Sequence, residues 1–353
     1  MNKKMENIKS INVVWLSKAN LSNINAGEGS GNVTELKTYD KGRKPYASGQ
    51  SVRHALRQSI ERAHPDVYKC VPELPCGNVK DCWLCDLFGY LNPKKGEGSD
   101  RRWSALKVSP ALGQIRKDIV TDMLTRHSIQ ETKENEAKYE QIAKLEKKLE
   151  NEKNEAEISK IKEEIDKISG GIKETKDQRI AHVQLMENIY KIGIAIDYNN
   201  IGKVIVPEGT FAGKKEERKF KIWKTEVDIT PEERKNRAKA VLDGIMNLSD
   251  FAKQSRNMVS FSPDIVIISL QSRYNHRLMR ALDLDDNGKI NKEELVVVLK
   301  DITAMRSEIF VGYTPGVISN EDDFYKALEE GAGIKKDNVK NPFEAISDAI
   351  KKI

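Results

Sequence analysis

Cys70, Cys76, Cys82 and Cys85 are all the thiols in a chain of 353 residues, and they fall within sixteen positions of one another. Their spacing is C-x5-C-x5-C-x2-C, and the closing C-x2-C is the turn that aims two thiolates at one ion. Three readings compete: a disulfide knot, a metal or redox cluster, or a chance gathering in a core. The chain opens with lysines but has no long apolar stretch followed by a small-residue cleavage site. No run reaches the eighteen apolar residues of a membrane span. The expected location is therefore the cytoplasm, without membrane attachment, where thiols stay reduced and structural disulfides are rare. Clustering argues against four unrelated core residues. Zinc suits a tetrathiolate because it is redox-inert and holds a short, proline-containing segment together; an iron–sulfur cluster is the alternative tenant. Nothing nearby points to an open coordination position, so the expected role is structural.

A second metal pattern lies in "DLDDNGKINKEE". Asp283, Asp285, Asn287, Gly288, Ile290 and Glu294 occupy positions 1, 3, 5, 6, 8 and 12 of an EF-hand loop, which nominates calcium. Against it, no second EF-hand follows, and a plain connection explains the same residues: Asn287-Gly288 turns the chain, and Asn291 with Glu294 starts a helix. The glycine-rich "NINAGEGSGN" is not a P-loop. The five histidines (His54, His64, His127, His182 and His276) are scattered and form no triad or paired-carboxylate spacing with other residues. Arginines are more suggestive. Arg53 and Arg57 share a helix face, "RRW" covers 101–103, and Arg256, Arg273, Arg277 and Arg280 follow. A phosphate-tracking surface needs such residues, although a chain that is 32% charged with net charge +6 also presents arginines on an ordinary solvated face.

The elements that position these groups alternate in type. Residues 10–21 read as a strand, and "ASGQSVRHALRQSIERAH" reads as a helix with Val52, Ala55, Leu56 and Ile60 on one side. From 130 to 172 the sequence turns to Glu, Lys, Asn and Ile, with Ile142, Leu145, Leu149 and then Ile158, Ile161, Ile165, Ile168 at 3–4 spacing. The phase breaks near "NEKNEA", as a hairpin or a stutter requires. A strand over 189–199, a long basic hairpin, and a helix capped by Thr230, Pro231 and Glu233 come next. Residues 263–270 form a buried strand, "SRYNHRLMRALDL" and "NKEELVVVLKDITAM" read as helices, and "SEIFVGYTPG" is the last strand. This order predicts an α+β fold, an RRM- or ferredoxin-like sandwich with large insertions. The boundaries expected are 1–68 (first strand and helix), 69–129 (cysteine finger and basic segment), 130–188 (charged helical insert), 189–198 (strand), 199–228 (hairpin), 229–320 (second half) and 321–353 (helical tail).

Several segments together resemble one family. "KANLSNINAGEGSGNV", "PYASGQSVRHALRQSI", "CWLCDLFG", "RRWSALKVSPA" and "DFAKQSRNMVSFSPDIVIISL" are similar, in this order, to the backbone subunit of type I CRISPR Cascade complexes. This is the DevR-like family, the seventh of the numbered CRISPR-associated proteins, and the I-B variant looks nearest. The likeness covers about two-thirds of the chain. It implies an RRM-like palm with a thumb-like hairpin at 199–224, and copies joined head to tail along a CRISPR RNA. Guide bases would be left exposed for target DNA, and other Cascade subunits would complete the particle.

Carried over residue by residue, the resemblance places Lys18 and Asn20 in the RNA groove. It puts Ser48, Gln50, Arg53 and Arg57 at the phosphates, with Arg101, Arg102, Lys107 and Arg256 as further RNA-binding residues. Relatives with a metal-binding finger beside "LFG" strengthen the zinc expectation. The related type III subunits cut target RNA with an aspartate in the loop after the first strand. Here residues 23–32 offer Glu28 and no aspartate, so the expected role is non-catalytic. The rivals are a metal-dependent, type III-like ribonuclease and a calcium-binding helical interaction protein using 283–294.

Overall fold

The computed structural model describes residues 8–24, 33–94, 98–126, 129–152, 154–172, 179–210, 219–249, 251–252, 255 and 257–353. In chain order its strands are β1 (Ser10–Ser22), β2 (Val33–Thr34), β3 (Thr38–Tyr39), β4 (Lys44–Ala47), β5 (Tyr90–Lys94), β6 (Gly98–Arg102), β7 (Leu106–Val108), β8 (Ala111–Gly113), β9 (Val120–Arg126), β10 (Arg179–Asp197), β11 (Lys203–Thr210), β12 (Lys219–Asp228), β13 (Ile265–Gln271) and β14 (Glu308–Tyr313). The helices are α1 (Gly49–Ala63), α2 (Ile129–Asn151), α3 (Glu155–Gly170), α4 (Pro231–Met246), α5 (Lys292–Ala304), α6 (Glu321–Ala332) and α7 (Pro342–Lys352). Among the described residues no helix is long and apolar enough to cross a membrane. Two compact units divide the chain: Met1–Ala26, Leu36–Ile119 and Leu185–Ile353 form the larger, Gly27–Glu35 and Val120–Gln184 the smaller.

The larger unit rests on an antiparallel sheet in the order β14-β13-β1-β10-β8-β4-β3. Within it, β1, α1, β8, β10, α4 and β13 follow one another, and the strands lie β8-β10-β1-β13. That is the βαββαβ connectivity of a ferredoxin-like sheet; the α+β class is as the sequence predicts, while its second strand, β8, is not among the elements expected. β1 and β13 are central and buried on both sides, so they read as apolar runs without clean alternation.

Alternation still sorts the two faces. Ile11, Val13, Trp15 and Ala19 pack in one core with α1, α4 and α7. Val14 and Leu16 pack in another with α5 and α6. Lys18 and Asn20 continue the even-numbered side and are exposed.

Local chemistry sets the helix starts. Ser48 accepts from the Ser51 N–H (3.3 Å), Thr230 from the Glu233 N–H (3.2 Å) with Pro231 behind it, and Asn291 from the Glu294 N–H (3.1 Å). Each cap satisfies a backbone donor that the helix itself cannot. One helix expected from the sequence does not form. Residues 272–284 contain only a 3₁₀ turn, Arg277–Arg280. Asn275 accepts from the Arg277 N–H (3.0 Å), which diverts the backbone, and Leu282 takes φ +63, so no helix runs through it. At the other end, α7 is core rather than tail: Ala345, Ile346 and Ala349 are buried beside α4 and the sheet.

In the smaller unit, β10 begins against β2, with His182 opposite Val33. α2 and α3 pack on each other, joined by residues 152–154, and Lys138 donates to the Gly171 carbonyl across the pair. The break at "NEKNEA" is therefore a hairpin. Ile142, Leu145, Leu149, Ile158, Ile161, Ile165 and Ile168 are half-buried along the seam, while the intervening charges face solvent. The smaller unit takes in β9 as well as the two helices, the first of which begins at Ile129. The glycine-rich stretch 25–32 with Glu28, the hairpin tip 211–218 and Arg256 lie outside the described residues.

Candidate metal centre and nucleic-acid interface

The chain brings all four cysteines to one point. A short bridge between Val71 and Leu74 folds back the loop after Cys70, and Asn78 turns the chain by accepting from the Asp81 N–H (3.0 Å). A π-helical turn, Leu84–Phe88, then carries Cys85 inward. The turn ends at Gly89, where φ is +72 and a Cβ would stand 2.5 Å from the Arg102 carbonyl oxygen, so the position requires glycine. The sulfurs of Cys70 and Cys82 are 3.6 Å apart, Cys70 and Cys85 3.5 Å, Cys76 and Cys85 3.7 Å, and all four lie within 4.8 Å of one another.

A disulfide sets sulfurs about 2.05 Å apart, and all four thiols are free. Four sulfurs about 2.3 Å from a tetrahedral ion stand roughly 3.8 Å from each other. The spacing therefore fits a zinc tetrathiolate, and the donor set is all sulfur. The Lys69 N–H donates to Cys82 Sγ at 3.3 Å. Burial pushes the Cys85 and Cys70 thiols up. It also acts on Cys82, but there the N–H groups of Cys85 and Lys69 together with the Cys70 and Cys76 thiols outweigh it and bring the thiol below its ordinary value.

Directly after Cys85 comes a buried carboxylate. Asp86 is fully enclosed and receives Arg237 Nη1 (2.6 Å), Arg102 Nη2 and the Gly202 N–H (2.8 and 2.9 Å). Arg237, 1% exposed, also donates to the Val79 carbonyl (2.8 Å), the Lys80 carbonyl and Glu233 (2.9 Å). Trp83 donates to that same Glu233 (2.8 Å). One ionic lock thus joins the cysteine segment to α4 and to the base of the β11–β12 hairpin. Sequence reasoning missed Asp86 and Arg237; the available signal was an aspartate inside the apolar run "CDLFG".

The cations nominated for RNA divide into two sets. Arg53 donates to the Phe88 carbonyl, Ser104 Oγ (3.1 Å) and the Leu106 carbonyl (3.5 Å), and burial lowers its pKa from the ordinary value. Arg102 donates to the carbonyls of Asp86 (3.2 Å), Lys203 (2.8 Å) and Asn200 (2.6 Å) besides the Asp86 carboxylate. Both guanidinium groups face the protein.

Outward-facing groups are Lys18, Asn20, Gln50, Arg101 and Lys107, all exposed, with Arg57 half-exposed beside His54 Nδ1 (2.9 Å). The start of α1 lies over residues 108–110, and Lys107 donates to the Ser104 carbonyl (2.6 Å), so Ser48, Gln50, Arg53 and Lys107 share one neighbourhood. Lys18 and Asn20 project from the opposite face of the sheet to α1.

Comparison with known proteins adds identity to this geometry. The profile of a family described as "CRISPR-associated negative auto-regulator DevR/Csa2" matches residues 61–273, more than half of the chain. The chain belongs to this family. Two solved structures share its fold along nearly the whole length. A chain of a "CRISPR RNA-guided surveillance complex" has a TM-score of 0.51 at 11% identity, with 97% of this chain and 98% of that one covered. A chain of a "CRISPR RNA-guided surveillance complex, pre-nicking" has a TM-score of 0.52 at 10% identity, with 97% and 99% covered. A search of curated sequences found no match.

In this DevR/Csa2 protein the 283–294 loop departs from a calcium site. Asp283 pairs with Lys191 (2.6 Å), and Glu294 with Arg280 (3.2 Å). Asp285 accepts the N–H groups of Lys289 (2.8 Å) and Asn287 (2.9 Å), which hold its carboxyl below the usual range. Asn291 caps α5 through the Glu294 N–H, the plain connection. Among the described residues, the cysteines are the only group of three or more His, Cys, Asp or Glu whose ligand atoms converge. The calcium expectation for Asp283, Asp285, Asn287 and Glu294 therefore has no support, because cations and backbone amides already engage the carboxylates.

Proposed function

We propose that this chain is a non-catalytic backbone subunit of a type I, I-B-like, Cascade complex. It binds CRISPR RNA, repeats head to tail along the guide, and presents the bases to target DNA beside other subunits. The observation that carries this reading is family membership joined to an end-to-end fold match with chains of CRISPR RNA-guided surveillance complexes. Head-to-tail interfaces that do not close give an open filament. A binder without sequence preference needs outward cations rather than base-edge readout. We assign that part to Lys18, Asn20, Gln50, Arg57, Arg101 and Lys107, with Ser48 setting the start of α1, and Arg53 and Arg102 supporting from behind. The Cys70, Cys76, Cys82 and Cys85 site holds zinc as a structural ion.

The test is to purify the chain at moderate salt, size it by gel filtration, and sequence any nucleic acid that comes with it. Large particles holding short RNAs with a repeat-derived end are expected. A particle that instead cuts complementary RNA in a divalent-dependent way would favour the ribonuclease.

Charge sets a finer expectation. Arg57→Ala or Lys107→Ala weakens RNA binding across sequences and lowers the salt slope by roughly 0.7 for each single-strand phosphate left without its cation. Thermal stability stays unchanged. Arg53→Ala lowers stability instead, because three acceptors at Phe88, Ser104 and Leu106 lose their donor. Titrating each variant with salt and melting it separates the two sets.

A further inference from the structure

We propose that Cys76 is a peroxide-reactive modification site, and that its oxidation joins the cysteines as Cys76–Cys85 and Cys70–Cys82 and so opens the metal centre. The four residues differ sharply in access. Cys82 and Cys85 are 0% and 1% exposed, Cys70 is half-buried, and Cys76 alone is exposed. A reagent from solvent therefore meets Cys76 first. The thiolate is the nucleophile, and oxidant-sensing thiolates are those open to solvent with a second sulfur close by. Cys85 Sγ is that second sulfur, 3.7 Å from Cys76 Sγ. Cys76 also lies outside any helix or strand, between the Val71–Leu74 bridge and the turn at Asn78. Its backbone can bring the sulfur in to the roughly 2.05 Å of a disulfide without breaking a regular element. Spacing alone would pair Cys82 with Cys85, as C-x2-C redox motifs do. The sulfur distances choose otherwise. The close pairs are Cys70 with Cys82 (3.6 Å), Cys70 with Cys85 (3.5 Å) and Cys76 with Cys85 (3.7 Å). Only the first and third together use every thiol once.

In the first step the Cys76 thiolate attacks one oxygen of hydrogen peroxide; the O–O bond breaks, hydroxide leaves, and the sulfur becomes a sulfenic acid. The Cys85 thiolate then attacks that sulfur; the S–O bond breaks, a second hydroxide leaves, and the disulfide forms. Two electrons pass from the sulfur pair to the peroxide. Cys70 and Cys82 remain as two thiolates where a tetrahedral ion needs four ligands, and a second peroxide closes them in the same way. A thiol reductant such as glutathione reverses both bonds by exchange. Asp86 follows Cys85 directly and holds Arg237 and the Gly202 N–H, so the change falls beside the seat of the β11–β12 hairpin.

This inference rests on the zinc assignment, and one experiment separates the two. The full chain is treated with hydrogen peroxide while a zinc-sensitive dye reads free metal, and samples trapped with dimedone or iodoacetamide are mapped by mass spectrometry. Dimedone is expected on Cys76 before any other cysteine, followed by the Cys76–Cys85 disulfide and complete loss of the zinc. Thiol reductant and added zinc should restore the starting state. Cys76→His keeps a fourth ligand while removing the accessible sulfur, and should hold its zinc at peroxide levels that empty the wild type. Should that variant fail to hold the ion, the wild-type labelling order decides alone. First labelling at Cys70, Cys82 or Cys85, a first disulfide at Cys82–Cys85, or equal peroxide-driven zinc loss from a metal-loaded Cys76→His overturns the switch and leaves the zinc assignment standing. A chain that carries no zinc as purified overturns both.

Discussion

Asp86→Ala is expected to lower the unfolding free energy by about 3–5 kcal/mol, the cost of leaving buried guanidinium groups without their carboxylate. Asp86 is 0% exposed, and its partners Arg237 and Arg102 are 1% and 10% exposed at their side chains, so water cannot substitute for it. The Gly202 N–H loses its acceptor as well. A urea midpoint that falls at constant slope reads the loss. Asp86→Asn keeps the shape and two of the hydrogen bonds and should lose less. Replacing Asp86 and Arg237 together by apolar residues should cost less than the sum of the two single changes, because the second removes the charge the first strands. An unchanged midpoint in Asp86→Ala would show that the lock contributes nothing.

The second large effect concerns the cysteines. Elemental analysis of the purified chain should give one zinc per molecule, and Cys82→Ser or Cys85→Ser should lose it. These two sulfurs are buried, so a missing thiolate there also leaves a polar hydroxyl in an apolar site. In small zinc peptides the metal supplies about 10–16 kcal/mol of folding free energy. Here the segment also docks on α4 through Trp83 and Asp86, so metal removal should loosen 64–89 rather than unfold the sheet. Proteolysis confined to that stretch after chelation is the expected signature. Retained zinc together with unchanged melting in Cys82→Ser would remove the zinc assignment.

What was legible in the sequence was short-range. The caps at Thr230 and Asn291 operate across three residues, and the cysteine spacing closes within sixteen, so residue types and intervals suffice. The roles of Arg53 and Arg102 were not legible. Their donors reach carbonyl oxygens on other elements, and a carbonyl leaves no mark in the residue type. The Asp86–Arg237 pair joins positions 151 apart, and no spacing rule relates them. The calcium pattern failed for the same reason: Asp283 has the right type at the right interval, yet Lys191, 92 positions away, takes its oxygen. Alternation told that Lys18 and Asn20 share a side of β1; only the packing of Val14 and Leu16 on α5 and α6 told which side.

The wide separation of Asp86 from its partners also orders events during synthesis. The four thiolates are within reach of one another as soon as Cys85 emerges, and a metal can close that loop alone. Arg237 follows 151 residues later, roughly 8–30 s at ordinary rates of translation. Throughout that interval the cysteine loop has no α4 to dock on, and Asp86 is served by water. A nascent chain stalled before α4 would therefore have its four thiols gathered but display Trp83 and the apolar side of the loop, the state in which this protein is most open to misassembly.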